Sequence, residues 1–203
     1  MKLPLLPRTQ TRTVCGLLAL FMPLAAFAHP GHTTPSGFAH GFVHPFGGWD
    51  HLLAMLAVGL WAAQLGGRAR WALPACFLGV MVTGGTFATL GWTLPMAEGL
   101  VLTSVFVLGL LLMTAVRAPL WLAASLTALF AIGHGQAHGA EMGASATGLA
   151  YASGFVVATA ILHGLGVAVG LAAQRGRPLR PVPWLRFAGV AVVLAGGAFV
   201  VAG

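Results

Sequence analysis

Eight histidines and three carboxylates carry most of the side chains in this sequence that could bind a metal ion or move a proton. The densest stretch is His44-Pro45-Phe46-Gly47-Gly48-Trp49-Asp50-His51, with Met55 one helical turn beyond His51. Imidazole nitrogen suits Ni²⁺, Co²⁺, Cu²⁺ and Zn²⁺, a carboxylate neutralises part of the ion's charge, and a thioether adds a soft donor. Pro45, Gly47 and Gly48 are helix breakers, so His44 is expected on a turn that folds back over a helix beginning with Asp50 and His51. Asp50 also fits a helix N-cap and Trp49 an interfacial anchor, and neither role conflicts with a metal site. His51 taken alone could equally be a buried polar link between helices.

A second group lies in Gly133-His134-Gly135-Gln136-Ala137-His138-Gly139-Ala140-Glu141. If a helix runs through it, His134, His138 and Glu141 fall at i, i+4 and i+7 on one stripe. Its three glycines leave a loop as the alternative. His163 is either a hydrogen-bonded tie between helices or a ligand further along. Glu98, just after Pro95, suits the first turn of a helix, where a carboxylate complements the dipole, or a place on a cation path. Upstream, His29, His32 and His40 could collect metal. No H-E-x-x-H and no G-x-x-x-x-G-K-[ST] occurs, so neither a zinc hydrolase nor ATP hydrolysis by this chain is expected. Two rival readings remain: a haem-b membrane cytochrome with axial histidines such as His51 and His163, and an intramembrane metalloenzyme.

The elements that must position these groups follow from composition. Of 203 residues 58% are hydrophobic and 6% charged, against about 25% charged in a soluble domain. Thirteen charged side chains cannot wet such a surface, so most of it must face lipid. The net charge of +7 then reads as membrane orientation and not as nucleic-acid binding. Cys15 and Cys76 are too few for a disulfide scaffold.

Residues 1–28 have the form of a signal peptide: Lys2, Arg8 and Arg12, then a short apolar run, then Ala26-Phe27-Ala28 as a cleavage site. Cleavage would leave a chain starting His29-Pro30-Gly31-His32. Residues 29–48 are expected to form a periplasmic, histidine-rich segment. Residues 49–203 hold six apolar runs, at 49–65, 71–91, 95–116, 119–133, 147–173 and 184–202, near the length that crosses a bilayer. The fourth is the shortest and could extend through Gln136 or His138. Continuous apolar runs predict helices, so the expected fold is an all-α bundle of six transmembrane helices. Arg68, Arg70, Arg117, Arg175, Arg177, Arg180 and Arg186 all fall on one side of that alternation, which the positive-inside rule makes cytoplasmic. Both mature termini and nearly all the histidines then lie on the periplasmic side.

The mature start HPGH, the run HPFGGWDHLLAMLAVGLWA from His44 to Ala62 and the later GHGQAHGAE closely resemble the HupE/UreJ family. That resemblance implies a nickel or cobalt permease of the bacterial cytoplasmic membrane, associated with hydrogenase or urease maturation. It implies His44, Asp50 and His51 as a first metal motif and His134, His138 and Glu141 as a second. His29, His32, His40, Met55, Glu98 and His163 are additions from residue chemistry. The expected partners are a divalent metal ion, membrane lipid and downstream metallochaperones, with no nucleic acid. Ni²⁺ or Co²⁺ would be cargo, with no cofactor bound permanently and no enzymatic activity.

Overall fold

In a bilayer a long apolar segment must satisfy its own backbone N–H and C=O groups, and the helix does so within the segment. The computed structural model describes residues 37–142, 146–174 and 183–202. Among these residues there are seven α-helices and no strand: α1 (Phe38–Gly47), α2 (Trp49–Leu65), α3 (Ala69–Thr89), α4 (Ala97–Thr114), α5 (Leu120–Met142), α6 (Ala146–Gln174) and α7 (Pro183–Ala202). Four are long and apolar enough to cross a membrane, and α1 with α2 make a fifth if the bent pair counts as one span. The apolar part of α7, Trp184–Ala198, is shorter. The chain is thus a helical, multi-pass membrane protein. The expected signal peptide lies outside the described residues.

Helix α2 is the centre of the bundle. Ala54, Met55, Ala57, Val58, Trp61, Ala62 and Ala63 are fully buried, and α2 is packed against α1, α3, α4, α6 and α7. Lipid is as apolar as leucine, so such helices associate through close fit and small residues more than through the hydrophobic effect. The tightest crossings are glycine on backbone. Gly59 of α2 lies on the backbone of His163 and Gly166 in α6, and Gly135 and Gly139 of α5 lie on Met81 and Gly85 in α3. Gly109 and Gly189 join α4 to α7 in the same way, while Gly79 faces open space.

One expectation is corrected here and another extended. His44 is not on a turn: residues 38–47 form a helix with Pro45 inside it, and the break comes at Gly48, where α1 meets α2 at 86°. Pro45 lies in the last turn, so only one backbone bond is lost, and the ring is buried. Gly41 and Gly154 bring α1 against α6, which fixes the short helix in place. The fourth span takes the longer of its two expected forms and exceeds it, passing Gly133 and His138 and continuing as α5 to Met142, so the glycines there are packing positions and not a loop.

Candidate functional site

The buried polar side chains among the described residues are His51, Ser104, Thr127, His134, Gln136, His138, Thr159 and His163. Half are imidazoles, and three of these gather with His44 toward one end of the bundle. His44 comes from α1, His51 from α2, and His134 and His138 from α5. Their ring centroids lie 4.5 Å (His51–His138), 4.6 Å (His44–His138), 5.2 Å (His51–His134) and 6.0 Å (His44–His51) apart. An open cavity of about 470 Å³ reaches His44 and His51, and His40, Asp50 and Tyr151 also line it. Continuation of α5 places His134 about 6 Å deeper than His138 along its axis.

The hydrogen bonds of these rings settle which nitrogen is available. Asp50 Oδ1 accepts both the backbone N–H of His51 and its Nδ1–H, each at 2.8 Å. His134 Nδ1 donates to the Phe130 carbonyl at 2.9 Å, and His163 Nδ1 to the Met55 carbonyl at 2.8 Å. An oxygen of this kind only accepts, so the proton sits on Nδ1 and the lone pair on Nε2 in each neutral ring. For His134 and His163 that Nε2 is buried and has no hydrogen-bond partner. His51 Nε2 faces His138 Nε2 at 2.5 Å, which makes His138 the donor there and leaves its buried Nδ1 unpartnered. Gly48 permits this arrangement, because a methyl group there would approach Asp50 Oδ1 to 2.7 Å.

As they stand, the rings of His51, His134 and His138 are hydrogen-bonded to one another or to fixed oxygens, and the four rings meet edge-to-face or tilted. Among the described residues no three of His, Cys, Asp or Glu are placed to share one metal. Two nitrogens holding one divalent ion at about 2.1 Å and a right angle would be about 3 Å apart, so His51 and His138 must separate before both could bind. The arrangement is therefore a set of oriented donors in an apolar surround.

The structure brings His44, Asp50, His51, His134 and His138 together. His40 lines the cavity from α1 with an exposed side chain. Met55 is fully buried one turn below His51, with its sulfur accepting the Thr159 hydroxyl at 3.4 Å. Glu98 is in the first turn of α4, exposed, and absent from the cavity lining. The Glu141 side chain, His29 and His32 lie outside the described residues. Several residues of the site were not foreseen. Phe77 of α3 packs on both His134 (5.2 Å) and His163 (4.8 Å), and Tyr151 and Phe155 of α6 pack on His44. Gln136 donates to the Gly84 carbonyl and accepts the Leu94 N–H, tying α5 to α3 and to the following connection. Its place two residues from each histidine, on the other side of the helix, was the one available signal for that role.

Apolar helices packed through glycine around oriented, buried imidazoles define a multi-pass membrane protein with a polar site inside the bundle. Residues 17–199 match the HupE / UreJ protein family. The chain is also 44% identical over 186 residues to Protein HupE of Rhizobium leguminosarum bv. viciae, an alignment covering 91% of this chain and 95% of that one. The chain belongs to the HupE/UreJ family, a family of metal transporters and not of enzymes. The haem and metalloenzyme readings are left without support. No solved structure matches the chain.

Proposed function

We propose that this chain is a six-span permease of the bacterial cytoplasmic membrane that carries Ni²⁺, and Co²⁺ as a second cargo, from periplasm to cytoplasm. The metal would supply hydrogenase or urease maturation through metallochaperones. In this reading the signal peptide is removed and both mature termini are periplasmic. The observation that carries it is the shared orientation of His51 and His134, each holding its Nδ1–H on a fixed oxygen and turning its Nε2 lone pair inward. Imidazoles held this way are ready to ligate, since an outer partner on Nδ1 fixes the tautomer of a metal-binding histidine.

His29, His32 and His40 would collect the ion, and His44, His51, His134 and His138 would coordinate it, with Glu141 as a further donor. Arrival of the cation replaces the His51–His138 hydrogen bond and drives the two rings apart. Asp50 orients His51 and offsets part of the positive charge. Phe77, Tyr151 and Phe155 keep the surround apolar, so the ion gives up bulk water only where donors replace it. Arg68, Arg70 and Arg117 follow the far ends of α2 and α4, which supports placing the histidine end outside.

The test is uptake of radiolabelled nickel and cobalt by cells lacking other nickel importers. Cells expressing this chain should accumulate both ions, and His51→Ala should insert at the normal level and lose uptake at limiting metal. Normal uptake by His51→Ala would rule out the site.

A further inference from the structure

Resting on the permease reading above, we infer that His163 is a second, inner metal station, reached from the outer cluster past the ring of Phe77. His163 is fully buried on α6, one helical turn below the level of His51, because its Nδ1–H is held by the Met55 carbonyl across the α2–α6 crossing. A tie between helices would account for that bond. It does not account for Nε2, which is buried with its lone pair and has no partner. A buried acceptor left without a partner costs free energy that a helix tie does not offset, so this Nε2 is best explained by something that it receives.

The inner station is distinct from the outer cluster. Among aromatic rings, His163 meets Phe77, at 4.8 Å and nearly perpendicular, and Phe77 in turn meets His134. One phenyl ring is thus shared by the innermost outer imidazole and by His163. Such a ring offers a cation an electron-rich face during the step between them. Further buried polar atoms lie nearer the arginine-bearing ends of α2 and α5. Trp61 Nε1 and Gln64 Oε1 on α2, and Thr127 Oγ1 on α5, are also buried without partners. Either oxygen can ligate an ion or accept from its water, the threonine hydroxyl can also donate, and the indole N–H can donate to a water. One imidazole with water completing the coordination gives a weak site for a borderline divalent ion such as Ni²⁺ or Co²⁺. Weak, serial sites are what conduction needs, because an ion held tightly does not leave.

The test uses the full chain, in proteoliposomes for uptake and in detergent for Co²⁺ titration followed by visible absorption. His163→Asn keeps a side-chain N–H for the Met55 carbonyl and removes the Nε2 lone pair; His163→Ala removes both. We expect both variants to insert normally and to lose maximal nickel uptake by about tenfold, with half-saturation moving less than about twofold because outer capture is intact. The weaker Co²⁺ binding step should disappear in both. Wild-type uptake and Co²⁺ binding in His163→Asn would overturn the proposal and leave His163 as a helix tie. Should the variants insert poorly, nitrogen NMR of histidine-labelled wild-type protein decides: Zn²⁺, as a diamagnetic stand-in, must shift the His163 Nε2 resonance, and an unshifted signal overturns the station. His51→Ala is measured alongside. If it transports normally, the outer site itself fails; if it is inactive while His163→Asn is normal, the inner station alone fails.

Discussion

His51 owes its orientation to the residue beside it, since one oxygen of Asp50 takes both the backbone and the ring N–H of its neighbour. The sequence offers Asp50 as a ligand or a helix cap, and this geometry points to a further role, that of orienting His51. If Asp50 acts by holding Nδ1–H, an amide oxygen can replace it. Asp50→Asn should then keep most uptake at limiting nickel, whereas Asp50→Ala should lose about 10- to 100-fold, as is usual when the outer partner of a metal-binding histidine is removed. Uptake curves for both variants, normalised to membrane insertion, check this. Equal loss in the two would mean that the carboxylate charge itself contacts the ion. The same scale shows what single-sequence reading misses. Phe77, Tyr151 and Phe155 are aromatic residues in apolar runs, and nothing in their spacing distinguishes lipid contact from contact with an imidazole. Only the fold puts them on the histidines.

At the scale of helices, five of the six apolar runs coincide with a helix to within two residues at each end, and the fourth stops nine residues short of the end of α5. The two departures, the helix at His44 and the full length of α5, share one physical reason. In water Gly costs a helix about 1 kcal/mol relative to Ala, and Pro costs more. In this bundle Gly135 and Gly139 of α5 lie on the backbone of α3, and Gly41 of α1 lies on the backbone of Tyr151, so the missing side chain is what permits contact. The result is a helix that carries His134 and His138 to the cluster, and a second short helix that brings His44. Two substitutions test the distinction. Gly135→Ala would drive a methyl group into the Met81 carbonyl and the Gly85 N–H, and should destabilise the protein by about 1–3 kcal/mol. Gly79→Ala, on the same α3 that receives this contact but with open space around it, should change stability by less than about 0.5 kcal/mol. Thermal unfolding in detergent compares them, and equal effects would remove the close-packing explanation.

For the molecule as a whole, the two ends differ in kind. One gathers His44, His51, His134 and His138, and Arg68, Arg70 and Arg117 follow the helix ends at the other. With the arginine end in the cytoplasm, a dication moving inward falls through the membrane potential. That contributes roughly 2.3 kcal/mol per charge per 100 mV, about 4.6 for a divalent ion. The potential acts on the ion in either orientation of the protein; what the topology decides is which side of the membrane presents the imidazole cluster to arriving metal. It can be checked with single cysteines in a chain with Cys15 and Cys76 replaced by Ser. Thr93→Cys lies in the exposed connection between α3 and α4, at the histidine end, and Val116→Cys in the exposed connection between α4 and α5, at the arginine end. Intact spheroplasts treated with a membrane-impermeant maleimide should label Thr93→Cys at once and Val116→Cys only after permeabilisation. The reverse pattern would place the imidazoles at the cytoplasmic face and overturn their role in capturing periplasmic metal.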